Sequence, residues 1–204
     1  MRAWLRKYKD FCYSSGSMLT SQRPAEPRTD GTFFSPNSSK LYAYWHSLAL
    51  RRGGVPLKDD FDPAEIPGLL PHIFIVEKEA GTGRFFFRLS GTAIRETMGV
   101  ENTGRYLDEL LDGDDLKNVA GMFEEVMAQG TCIRSIEGLT YSDRSYFRVE
   151  IVRLPLALPD GETRLVLGCL SRIENDCRPN QVAGAVKDKD LIQIDNDVLP
   201  RKSF

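Results

Sequence analysis

The residues of this chain able to do chemistry are few and scattered. There are two histidines, His46 and His72, and four cysteines, Cys12, Cys132, Cys169 and Cys177. No two cysteines form a C-x-x-C pair, which points to free thiols in a reducing, cytoplasmic setting rather than to a zinc site or a disulfide framework. The acidic run LDELLDGDDLK (107–117) draws attention as a possible metal or acid–base site. It lacks the glycine turn and terminal glutamate of a calcium-binding loop. Asp112, Asp114 and Asp115 instead stand where a helix should start, and the helix dipole favours negative charge there. There is no G-x-S-x-G, no phosphate-binding glycine loop and no H-E-x-x-H, so no catalytic residue and no metal ligand is assigned. A small enzyme of unknown reaction is the most distant reading.

The elements that must position these residues say more. A hydrophobic fraction of 41% and a charged fraction of 27% suit a soluble globular protein. A net charge of −2 gives no reason to expect nucleic acid or an anionic membrane as partner. No apolar run approaches the roughly 20 residues of a membrane span. Residues 1–37, rich in Ser, Pro, Gly and Thr, read as an extension without regular structure. One helical face of its first turns would carry Trp4, Leu5, Tyr8 and Phe11. The segment KLYAYWHSLALRR (40–52) is an amphipathic helix with Leu41, Tyr44, Trp45 and Leu48 on one stripe, stopped by Gly53-Gly54. HIFIVEKE and RFFFRLS form a hairpin across AGTG, with Phe85, Phe87 and Leu89 expected on one face. Short helical pieces follow, then a long helix whose Leu116, Val119, Ala120, Phe123, Val126 and Met127 keep the helical period up to Gly130. Three strands close the unit: TCIRSIEGLTYS, SYFRVEIVRLPLAL and RLVLGCLSRI.

The last of these strands does not alternate: LVLGCL is apolar at every position. Such a run belongs where both faces of a sheet are covered. The later helices can cover one face. The helix of 40–52 must pack on the other, or build a dimer contact there through Leu41, Tyr44, Trp45 and Leu48. The tail 175–204 reads as disordered, with LIQID a possible partner-binding peptide or added edge strand.

Particular fragments carry a family likeness. They are Asp62-Pro63 with Ile66-Pro67 and Leu70-Pro71-His72, then Phe87-Arg88-Leu89 with Gly91-Thr92, and Gly104-Arg105-Tyr106-Leu107 with Glu109-Leu110. Over residues 38–174 their order resembles the PAS superfamily, and most closely a bacterial family of small stand-alone PAS-like regulatory proteins. The resemblance implies an α+β fold: a five-stranded antiparallel sheet of order 2-1-5-4-3 with helices on one face, preceded here by the amphipathic helix. It implies a cleft for a small molecule but no single function. The roughly 30 residues after Ile173 hold no second core, so signalling is expected in trans, through a signalling protein or a homodimer.

The same resemblance weighs on cofactors. Haem-binding relatives use an axial histidine on the helix lining the cleft, and the helix Asp114–Gln129 has none; His46 and His72 read as packing residues. Flavin photoreceptors carry a reactive cysteine just after Gly-Arg, where this chain has Tyr106. His-ligated haem and a covalent flavin photocycle are therefore disfavoured and the cofactor is left unknown. Cys132 and Cys169 read as buried, inert thiols. Phe87, Leu89, Ile94, Met98, Tyr106, Leu110, Met122, Phe123, Val126, Ile133, Phe147 and Val149 either line the cleft or fill it as a core. Arg88, Arg134 and Arg148 either orient a ligand's carboxylate or phosphate, or pair across strands with Glu137 or Glu150 on an exposed face.

Overall fold

The apolar run Leu165–Leu170 lies at the middle of the sheet, and both of its faces are covered. The computed structural model describes residues 33–140, 146–173 and 192–193. Five antiparallel strands are β1 (Ile73–Lys78), β2 (Phe85–Ser90), β3 (Ile133–Thr140), β4 (Tyr146–Ala157) and β5 (Thr163–Ile173). They take the order β2-β1-β5-β4-β3, the order the family resemblance implied. A sixth, two-residue strand, β6 (Ile192–Gln193), pairs antiparallel with Ile133 and Arg134 at the free edge of β3, so LIQID does supply an edge strand. The expectations for Trp4, Leu5, Tyr8, Phe11, Cys12 and Cys177, and for the rest of the two ends, lie outside the described residues.

On one face of the sheet lies helix α1 (Pro36–Arg52), which starts four residues before the sequence pattern suggested. Ser35 caps it, its hydroxyl accepting from the Asn37 amide at 3.1 Å, and Pro36 sits at the first helical position. Gly53 ends it at φ 73°, donating its N–H to the Ala49 carbonyl. Folded packing also begins before residue 38, because Phe33 and Ser35 are buried. Leu41, Trp45 and Leu48 are 0%, 1% and 3% exposed; Leu41 and Trp45 pack with Ile73, Leu154, Leu167 and Cys169. The Trp45 indole Nε1 donates to the Pro155 carbonyl at 2.8 Å, which satisfies the one polar atom that burying the ring would strand. The helix thus covers this face of the sheet. Tyr44 differs from the other three: it is half-buried, rests edge-on against Phe61, and its hydroxyl accepts from the Asp62 amide at 2.9 Å. Asp62 caps only a single 3-10 turn, Pro63–Glu65.

The opposite face carries α2 (Thr92–Met98), α3 (Leu107–Leu110) and α4 (Gly113–Gln129). Their apolar side pairs Ile94, Leu107, Leu110, Met122, Phe123 and Val126 with Phe74, Val76, Phe85, Phe87 and Leu170 of the sheet. Asp112 holds the N-cap position of α4, Asp114 and Asp115 lie in its first turn, and Gly130 ends it at φ 66°.

Two backbone details shape this second face. Gly168 of β5 stands opposite Phe74 of β1, and a Cβ there would lie 1.9 Å from Phe74 Cζ. Only glycine lets that ring lie across the central strand. The β1–β2 register also shifts between Ile75 and Val76: Val76 pairs with Phe87, but Ile75 pairs with Leu89. The extra residue reverses the alternation, because facing residues share a side of the sheet. Phe85 and Phe87 therefore turn to the helices, whereas Leu89 sides with Ile75 towards α1 and is 40% exposed.

Candidate functional site

Between the sheet and α2–α4 lies a cavity of about 80 Å³. Phe74, Phe87, Ile151 and Leu170 form its sheet side, and Ile94, Met98, Leu107, Leu110, Leu111, Val119 and Phe123 its helix side. Three polar residues join this apolar wall: Asn102, Glu137 and Arg153. The Phe123 ring lies near both Phe74 and Phe85, with centroids 6.4 and 5.3 Å away, so aromatic side chains take up much of the cleft.

Strand pairing builds the polar end. Arg153 of β4 stands opposite Ile133 of β3, placing Ser135 and Glu137 further along the same face. The Arg153 guanidinium is 2% exposed. It donates from Nη1 to Ser135 Oγ at 2.7 Å and from Nη2 to Glu137 Oε1 at 3.0 Å. Ser135 in turn donates to the same Glu137 oxygen at 2.7 Å. Arg153 also lies 5.8 Å from the centroid of the Phe123 ring. Its Nε has no hydrogen-bond partner among the described residues. A buried donor left in that state costs about 1–3 kcal/mol.

Of the pocket residues expected from sequence, Phe87, Ile94, Met98, Leu110 and Phe123 line the cavity. Met122, Val126, Ile133 and Val149 are buried in the surrounding core without reaching it, and the side chain of Phe147 lies outside the described part. Two expectations are corrected. Leu89 is turned away by the register shift. Tyr106 sits outside the edge strand against Phe86, under the Arg84 guanidinium at 3.7 Å, and donates to Glu79 Oε1 at 3.0 Å. That bond raises the Tyr106 phenol above its ordinary pKa; bonds from Thr82 and then Tyr106 hold Glu79 below the carboxylate range.

The arginines are redistributed too. Arg88 is exposed and pairs with Glu77. Arg148, half-buried, shares the α1 side of β4 with Glu150 by alternation. Arg134 is on that side as well, 3.4 Å from Glu150, at 3% and 0% side-chain exposure. Glu150 also accepts the Phe34 and Ser35 amides at 3.0 and 2.8 Å, tying the entry of α1 to the sheet. Cross-strand pairing with Glu150 thus occurs, but buried beneath a helix rather than on an open face. The cleft's own arginine, Arg153, was missed, although alternation through Val149 and Ile151 points straight to it.

Neither histidine lines the cavity: His46 stacks on Tyr42 of α1 at 5.7 Å, and His72 ends the 3-10 turn before β1. Cys132 and Cys169 are fully buried; burial raises both thiols, Cys169 to about 11. A flavin ring system or a haem exceeds the space between Phe74, Phe87 and Phe123, and Tyr106 offers no thiol. The residues present do not fit either group in this conformation.

An antiparallel β2-β1-β5-β4-β3 sheet with short helices and one long helix enclosing a cleft on one face defines a small α+β module of PAS-like topology. The PAS domain family model matches residues 33–171, more than half of the sequence, and the chain belongs to that family. No curated protein sequence matches it. Among solved structures, it is similar to the PAS domain of BvgS from Bordetella pertussis, with 18% identity, 55% of this chain and 84% of that one covered, and a TM-score of 0.45. It is similar to the VqmA dimer of Vibrio cholerae at 14% identity and TM-score 0.43, covering 55% of this chain and 52% of that one, about half of VqmA's length. A LOV protein of Rhodobacter sphaeroides matches at 11% identity and TM-score 0.40, over 55% and 67%.

Proposed function

We propose that this PAS module is a non-catalytic, cytoplasmic bacterial regulator that senses a small molecule in the cleft and passes the signal in trans, as a homodimer or to a signalling protein. The observation that carries this reading is the cavity beside Arg153 and Glu137, where a buried ion pair stands at the edge of an apolar space. Apolar walls with a few placed polar groups are what small-molecule sites are made of. Leu70 and Leu89, 36% and 40% exposed, are apolar residues that an association surface would use. The reading is tested by releasing small molecules from natively purified protein and analysing them by mass spectrometry, with light scattering for the oligomer. A stoichiometric molecule, or a metabolite that raises the unfolding temperature, supports sensing. An empty protein indifferent to a broad metabolite screen contradicts it.

A second reading, a ligand-free interaction scaffold, draws on the crowding of Phe74, Phe87 and Phe123 in the cleft. Under that reading the same screen finds nothing, while the association state is unchanged.

A further inference from the structure

The size and charge balance of the cleft narrow what it can hold. An apolar cavity of about 150 Å³ accepts benzene, with six non-hydrogen atoms. The space here is about 80 Å³. Glu137 and Arg153 are the two charged residues of its wall, and they neutralise one another at 3.0 Å. An entering anion would find its natural partner already engaged and would sit beside the Glu137 carboxylate. A charge taken from water into such a site is opposed unless it gains a fresh counter-ion. A neutral acceptor meets no such opposition, and the Arg153 Nε and the Asn102 amide are the donors at hand.

We propose that the cleft binds a neutral molecule of about three to four non-hydrogen atoms, with an apolar body and one hydrogen-bond acceptor: a short-chain ketone or alcohol. This rests on the sensory reading and specifies its ligand class. The acceptor faces the Arg153 end, while the alkyl part lies among Ile94, Leu110 and Phe123.

Acetone and acetate have the same number of non-hydrogen atoms and differ in charge, so they make a matched pair of probes. Each is titrated into the full chain while amide proton–nitrogen spectra are recorded. Acetone is expected to shift amides around Phe74, Leu110 and Arg153 in a saturable way, with acetate at least tenfold weaker. Val119→Phe, at the half-buried rim of the wall, fills the space with little demand on the core and is expected to abolish the response. Acetate binding as tightly as acetone overturns the charge argument, and a response that survives Val119→Phe overturns the site. If neither probe binds but a larger molecule co-purifies, the ligand class fails and the sensory reading stands. If neither binds and the protein is empty and unresponsive, both fail.

Discussion

Strands β3 and β4 carry one buried arginine–glutamate pair on each face, and the two pairs live in different surroundings. On the α1 side, Arg134 and Glu150 are both almost fully buried, and each Glu150 oxygen also accepts a backbone amide from the entry to α1. On the cleft side, Arg153 is equally buried, but Glu137 is 21% exposed and a cavity adjoins the pair. The first pair is a fixed clasp between helix and sheet. The second is a polar boundary with room beside it. A buried ion pair therefore has no single meaning in this molecule: its role follows from whether the carboxylate is further tied down by backbone amides or the pair borders an open cavity.

Removing the cover altogether is the most severe way to test this contrast. Deleting residues 1–56 uncovers Leu154, Leu156, Leu165 and Leu167, all at most 2% exposed. The product is expected to aggregate or associate, as seen by light scattering. A soluble monomer of unchanged stability would mean that α1 is not needed to close the sheet. Trp45→Ala is a milder form of the same test. Loss of the buried ring should cost roughly 3–5 kcal/mol in urea unfolding.

The two ion pairs are compared directly by Glu150→Ala and Glu137→Ala. The first removes the carboxylate paired with the buried Arg134 and leaves two amides without their acceptor, and is expected to cost roughly 3–5 kcal/mol. The second leaves Arg153 bonded to Ser135 in a partly open site, and about 1–2 kcal/mol is expected. Equal losses would erase the distinction between clasp and boundary. Gly168→Ala should cost about 1–3 kcal/mol, because Phe74 must leave its place over the central strand. Adding Phe74→Leu should recover part of that loss if the collision is its cause.

How much of this was legible beforehand depended on where the determining contacts lie. The unbroken apolarity of Leu165–Leu170 revealed a central strand covered on both sides, and the stripe Leu41-Trp45-Leu48 revealed the cover, because burial writes itself into residue type. Alternation along β4 contained Arg153 as well, two residues past Ile151. The register shift at Ile75/Val76 was not legible, since it is set by pairing across strands rather than by the local pattern, and so Leu89 was placed on the wrong side. Nor was the size of the cavity, which depends on Phe74 lying over Gly168, a contact 94 positions apart in sequence that no local pattern reports.

The smallest effect concerns the thiols. The Cys169 thiol is pushed up to about 11 chiefly by burial, against about 8.5 in an unfolded chain. The folded state thus holds this proton more tightly. The corresponding stability is fully present below about pH 8.5 and is lost as pH rises through about 11. In a Cys12→Ser/Cys177→Ser variant, Cys132 and Cys169 are expected to react with a thiol reagent at pH 8 at least a hundredfold more slowly than in urea. Rapid reaction of the native protein would show that the α1 face opens readily.

The contrast between a closed face and one with a cavity is tested most directly by a crystal structure under xenon pressure, since xenon occupies dry apolar space. The expected result is one xenon site among Phe74, Leu110 and Phe123, and none beneath Trp45. Xenon between α1 and the sheet, or none in the cleft, would contradict the account.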